Sequence, residues 1–177
     1  MSGHSKWSKI KHQKAVVDVK KSKEFSKFAQ LIATESKKGG GDINAPGLRK
    51  VIERAKAINM PTLNIERAIK RGTEKDAASL EEVTYEAYGP GGSALIIQGL
   101  TSNKNRASAE IKHILSKHEA SLAERGAASW AFGKEGDQWI PKTTIPLSQD
   151  DRKKLEILVE KLKENDNVQE VYTNLEK

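Results

Sequence analysis

Cysteine is absent from the 177 residues, which excludes disulfides, thiolate catalysis and every zinc, iron–sulfur or redox site that needs a cysteine. Aromatic residues are scarce, three each of Trp, Tyr and Phe, so any core must be aliphatic and modest. No run of about 18 apolar residues occurs, so nothing reads as a membrane span. Met1 to Lys14 offers only Trp7 and Ile10 as large apolar side chains, which does not make a signal peptide. Ser2 ahead of Gly3, with no cysteine to acylate, gives no lipidation signal either. A cytoplasmic protein without membrane contact is therefore expected.

Catalytic patterns are missing too. The sequence holds no G-x-x-x-x-G-K-[ST], no G-x-G-x-x-G after a strand and no G-x-S-x-G. His113 and His118 stand five apart, about 500° of helix rotation, which puts them on poorly matched faces for a metal. Glu156, Glu160 and Glu164 belong to a mixed-charge helix face, where solvation and ion pairing account for them. Gly39 to Gly41 reads better as an inter-helix loop than as a phosphate cradle. The expectation is a non-enzyme with no catalytic residues, metal, cofactor or small-molecule substrate.

What is abundant is positive charge, unevenly placed. Residues 1–72 carry 17 Lys and Arg against 6 Asp and Glu, whereas residues 73–177 carry 14 against 18. Such asymmetry points to a polyanion surface on the first part of the chain, and nucleic acid is the expected partner. Residues 1–19 read as a basic arm, with Lys6, Lys9, Lys11 and Lys14 recurring among Trp7 and His12. An unstructured arm of this kind can stack on bases and neutralise phosphates as it orders. From Lys20 the spacing becomes helical through Phe25, Phe28, Ala29 and Ile32, with Lys20, Lys23 and Lys27 on another face, until Gly39-Gly40-Gly41-Asp42 stops it. Pro46 opens a second helix and Asn59-Met60-Pro61 ends it. A third helix follows, with Thr62 or Asn64 as cap, Ile65, Ala68 and Ile69 as buried stripe, and Gly72 at its C′ position. Its Arg67, Lys70 and Arg71 share one side. Residues 20–72 thus predict a basic three-helix bundle.

Residues 73–80 are aperiodic and predict a linker. Beyond it the period becomes two, from Val83 to the Gly89-Pro90-Gly91-Gly92 turn, with a buried strand over Ala94 to Leu100. A helix from Lys104, strands over Ala128 to Phe132 and Trp139 to Leu147, a helix capped by Ser148 and Asp151, and a last strand over Val168 to Leu175 complete a β-β-α-β-β-α-β order. This predicts an α+β lobe over residues 81–177, with a mainly antiparallel sheet and helices on one face. Between strand and helix, Asn103, Lys104, Asn105 and Arg106 form a polar turn able to reach base edges or phosphate.

Several segments carry a specific resemblance. Gly3-His4-Ser5-Lys6-Trp7, Gly39-Gly40-Gly41-Asp42, Asn64-Ile65-Glu66-Arg67-Ala68-Ile69-Lys70-Arg71-Gly72, Tyr85-Glu86-Ala87-Tyr88-Gly89-Pro90-Gly91-Gly92, Ser102-Asn103-Lys104-Asn105-Arg106, Ser129-Trp130-Ala131-Phe132 and Pro141-Lys142-Thr143-Thr144 resemble the YebC/PmpR family, in order and over nearly the whole chain. The resemblance implies a regulator of gene expression, either a ribosome-associated translation factor on rRNA or tRNA or a DNA-binding transcriptional regulator on promoter DNA. Phosphate contacts dominate both, so composition does not choose between RNA and DNA. Nothing in the sequence announces a dimer interface, and a monomer is expected. Members of that family usually carry a third lobe between the Ser-Trp-x-Phe and Pro-Lys-Thr-Thr segments. Here only six residues separate Phe132 from Trp139, which predicts a short form with a hairpin in place of the lobe, a continuous sheet, and Trp130 packed near Trp139.

Overall fold

The computed structural model describes residues 3–176, apart from the side chains of residues 3–5 and 7. The chain divides into two compact units, Met1–Ser79 and Leu80–Lys177.

The first unit is three helices: α1 over Gly3–Lys38, α2 over Pro46–Ala57 and α3 over Thr62–Thr73. Their core joins Ile32 of α1, Leu48, Val51 and Ala55 of α2, Met60 between the helices, and Ile65 and Ala68 of α3, with Phe25 and Phe28 packed against it. Each buried Ile, Leu, Val or Met side chain among these contributes about 1.5–3 kcal/mol. Pro46 stands at the start of α2 with its fixed φ, and α2 ends where Asn59 takes a left-handed φ of 61°. The N–H groups of Asn59 and Met60 donate to Lys56 and Ala55 carbonyls, the paired bonds that close a helix end.

Three expectations change in this unit. Helix α1 starts at Gly3 rather than Lys20, so residues 3–19 are helical and not an unstructured arm. Between Gly3 and Lys38 there is neither Gly nor Pro to interrupt good helix formers such as Lys, Gln, Glu and Ala. Helix α3 has Pro61 at its N-cap and no side-chain cap, so neither Thr62 nor Asn64 serves there. Gly72 lies inside α3, buried, where a Cβ would fall 2.3 Å from the Ala33 carbonyl and 2.7 Å from Ser36 Cβ. Its smallness serves the crossing of α1 on α3 rather than a C-cap, and Ser36 Oγ donates to the Ile69 carbonyl at the same crossing (2.7 Å).

The second unit is α+β, as expected. Strands β1 (Glu81–Tyr88), β2 (Ala94–Thr101), β3 (Ser121–Ala123) and β6 (Val168–Thr173) form an antiparallel sheet in the order β3-β1-β2-β6. Helices α4 (Lys104–Lys117) and α5 (Gln149–Glu164) cover one face. Alternation along β2 sends Leu95 and Ile97 into the core with Ile111, Leu115, Leu155, Leu158 and Leu162. Ala94 and Ile96 point the other way, onto Ala128, Ala131 and Phe132. Ser148 caps α5, its Oγ accepting from Asp151 N–H (3.1 Å) and donating to the Asp151 carboxylate (2.8 Å).

The segment expected as a strand over Ala128 to Phe132 is instead a 3-10 turn over Ser129–Ala131 that runs into β4 (Phe132–Glu135). Strand β5 covers only Gln138–Pro141, not Trp139 to Leu147, and β6 stops at Thr173. The short strand β3 adds one element to the expected order. Phe132 pairs with Pro141 and Glu135 with Gln138, so the predicted hairpin is present, with Gly136 at φ 60° in its two-residue turn. It is a separate two-stranded sheet rather than a continuation of the larger one. Trp139 packs with the hairpin core, whereas Trp130 is outside that cluster and 60 % exposed.

Candidate nucleic-acid interface

Helix α1 is roughly 54 Å long at 1.5 Å per residue. Every described side chain from Ser8 to Glu24 is exposed, and burial begins only with Phe25. At 100° per residue, Lys9, Lys20 and Lys27 fall within about 20° of one line, with Lys6 and Lys23 beside it. Lys11, Lys14 and Lys21 form a second stripe about 140° away. That second stripe continues the direction in which Phe28 and Ile32 enter the core, since Lys14 and Phe28 are 14 residues apart, a mismatch of about 40°. The face that buries apolar side chains near the C-terminus of α1 therefore carries Lys14 and Lys21 in its first half, interleaved with the exposed Ile10 and Val17. His12 is exposed between the stripes. The side chain of Trp7 lies outside the described residues.

Arg67, Lys70 and Arg71 are exposed on the side of α3 opposite Ile65, Ala68 and Gly72. Lys70 and Arg71 occupy the last turn, where a cation also complements the helix dipole. Ser36 meets α3 beside Gly72. Lys27 lies nine residues before Ser36, about 13 Å along α1, and Lys20 about 24 Å. The six cations on the two helices are spread along the bundle rather than gathered at a point.

In the second unit the polar turn is structurally engaged. Asn103 is the N-cap of α4: its Oδ1 accepts from Arg106 N–H (3.0 Å) and its own N–H donates to Thr101 Oγ1 (3.0 Å). Lys104 is paired with Glu81. Arg106 Nε donates to Glu110 Oε1 (2.8 Å), while Asn165 and Asn167 donate to Glu110 Oε2 (both 3.0 Å). The Asn165 amide and the Arg106 guanidinium hold the Glu110 carboxyl below the usual glutamate range. Asn105 is exposed on the first turn. Asn103 thus has a capping role that the S-N-K-N-R pattern announces, while the Glu81 and Glu110 pairings depend on tertiary neighbours and have no local signal.

One buried carboxylate has no signature in the sequence. Glu86, on β1, is 7 % exposed. Its oxygens accept the backbone N–H groups of Gly126 (2.7 Å), Ala128 (2.7 Å) and Ser129 (2.8 Å). Burial pushes its pKa up, but the three N–H bonds outweigh burial and hold it below the ordinary value. The alternation of β1 shows only that Glu86 faces opposite Ala87 and gives no sign that a loop 40 residues on supplies its donors.

Among the described residues, no three His, Asp or Glu side chains are grouped to hold a metal ion, and no helix is long and apolar enough to cross a membrane.

Comparison with known proteins agrees with this layout. Residues 5–75 match the family model described as the TACO1/YebC protein N-terminal domain. Residues 80–137 and 134–175 match the one described as the TACO1/YebC second and third domain, and the two segments meet in the β4–β5 turn. A probable transcriptional regulatory protein of Thermoanaerobacter pseudethanolicus is 39% identical over 239 aligned positions, covering 99% of this chain and 97% of that protein. That alignment is longer than the chain itself, so the relative contains residues with no counterpart here. A protein of the same description from Desulfosudis oleivorans is 44% identical over 178 positions, 99% of this chain and 72% of its own. The crystal structure of a conserved hypothetical protein from Aquifex aeolicus matches with a TM-score of 0.80 and 29% identity, over 90% of this chain and 92% of that one. The chain belongs to the TACO1/YebC family.

Proposed function

We propose that the chain is a cytoplasmic, nucleic-acid-binding regulator of gene expression, that it acts by binding rather than turnover, and that its physiological ligand is RNA on the ribosome. The observation that carries this reading is the first half of α1: a helix of about 30 Å with lysines on both sides, whose large apolar side chains Ile10, Val16, Val17 and Val19 all stand exposed instead of entering a core. Most helical stability in proteins comes from packing one face, and a polyanion running along this segment supplies what a core does not. Each lysine that neutralises a phosphate releases a counterion, which gives sequence-tolerant affinity that falls with salt. Arg67, Lys70 and Arg71 extend the contact, and Asn105 adds an exposed amide on the first turn of α4.

A second reading, binding to promoter DNA, is favoured by the description of relatives as probable transcriptional regulatory proteins. Sequence-specific DNA binding commonly uses a recognition helix whose polar side chains reach base edges in the major groove, and α1 offers chiefly lysines there. Co-sedimentation with ribosomes over a salt series, run beside binding to promoter fragments, separates the two. RNA or ribosome binding that survives at salt concentrations where DNA fragments dissociate supports the first. Tight binding to one promoter sequence, with none to ribosomes, overturns it.

A further inference from the structure

We propose that Trp130 is a stacking platform for one unpaired base of single-stranded RNA, with Lys142 on the neighbouring phosphate. This rests on the nucleic-acid reading above and adds a contact on the second unit that neither α1 nor α3 supplies. Trp130 is 60 % exposed, yet its indole N–H and the backbone on either side of it are anchored. Its Nε1–H donates to the Tyr88 hydroxyl (3.1 Å), which in turn donates to the Ala127 carbonyl. The residues before it are fixed by Glu86 through the Ala128 and Ser129 N–H groups. The residue after it, Ala131, is fully buried, and its carbonyl accepts from the backbone N–H groups of Lys142 (2.8 Å) and Thr143 (3.1 Å). An indole whose polar edge is already satisfied, and whose ring is left in solvent, presents π surface and nothing else.

The surroundings favour a base over a protein partner. In the second unit the exposed large apolar residues are Trp130, Ile140 and Ile157, too few to form the apolar centre of a protein interface. The Lys142 side chain lies across Gly133, where a Cβ would fall 2.3 Å from its Cε, so glycine there leaves room for the lysine chain along β4, three residues after Trp130. Stacking on an aromatic face tolerates any base, and Lys142, whose backbone N–H bonds to the carbonyl of the residue after Trp130, supplies an exposed cation for the backbone phosphate.

The test uses the full chain and single-stranded and duplex RNA oligonucleotides of equal length, the single strand carrying 2-aminopurine. Trp130→Ala is expected to weaken single-strand binding about tenfold and to abolish the quenching of 2-aminopurine, with duplex binding unchanged. Trp130→Phe, which keeps a ring but loses the Tyr88 bond, should retain part of both, and its circular dichroism guards against misfolding. Unchanged single-strand affinity and quenching in Trp130→Ala, while charge reversal of Lys9, Lys14 and Lys20 still weakens binding, overturns the platform and leaves the nucleic-acid reading standing. Loss of ribosome association without loss of oligonucleotide binding would assign Trp130 to a protein partner and overturn it equally. No RNA binding by the unaltered chain sinks both.

Discussion

At the scale of single residues, the second unit relies on two buried polar side chains that join distant segments. Glu86 gathers three N–H groups of the Gly126–Ser129 loop. Asn174, 2 % exposed, accepts from Ala94 N–H (2.8 Å) and donates to the Thr143 carbonyl (3.1 Å). Removing such a group leaves its partners desolvated and unpaired, which costs about 1–3 kcal/mol for each. Glu86→Ala should therefore destabilise the protein by about 3 kcal/mol or more in urea unfolding. The pH dependence follows from the direction of the shift. Because the Glu86 carboxyl titrates below its unfolded value, its contribution is complete above the usual glutamate range and is lost as pH falls through the depressed folded value. Glu86→Gln should flatten the acid side of the stability profile, and an acid limb identical to that of the unaltered protein would contradict this account.

At the scale of elements, the α1–α3 crossing and the end of α2 set the shape of the bundle. Gly72→Ala places a methyl group against the Ala33 carbonyl and Ser36, so the helices must separate. A loss of about 2–3 kcal/mol is expected, read as a lower melting temperature. Asn59 occupies a left-handed conformation that glycine adopts without strain. Asn59→Gly should be neutral or stabilising and Asn59→Ala destabilising by about 1 kcal/mol, checked by thermal unfolding. Helix α1 shows where the sequence was legible and where it was not. From Phe25 onward its apolar residues recur at helical spacing because a core lies against them, which makes this part of the helix legible. Before Phe25 no partner imposes a period, so residues 3–19 carry only propensity, which periodicity does not detect. The hairpin followed from the six residues between Phe132 and Trp139, too few for the lobe that the family resemblance implies there. The 3-10 turn at Ser129–Ala131 did not, because a buried run of small and aromatic residues fits a strand as well as a turn held by Glu86.

At the scale of the whole molecule, the two units divide the work differently. The second has the larger ordered core and fixed loops, and its polar turn at Asn103 to Arg106 is largely occupied in holding α4. The first carries the excess of positive charge, much of it on a helical segment that adds nothing to the core. Deleting residues 1–14 should accordingly leave the melting temperature of the remaining protein nearly unchanged while weakening RNA binding. The central claim, that the lysines of α1 bind a phosphate backbone, is tested most directly by the salt dependence of RNA affinity with Lys9, Lys14 and Lys20 all changed to Glu. Losing three phosphate contacts should lower the slope of log affinity against log salt by about 2 for single-stranded RNA and reduce affinity at low salt on all sequences alike. A triple variant that keeps both the slope and the affinity of the unaltered chain would contradict it.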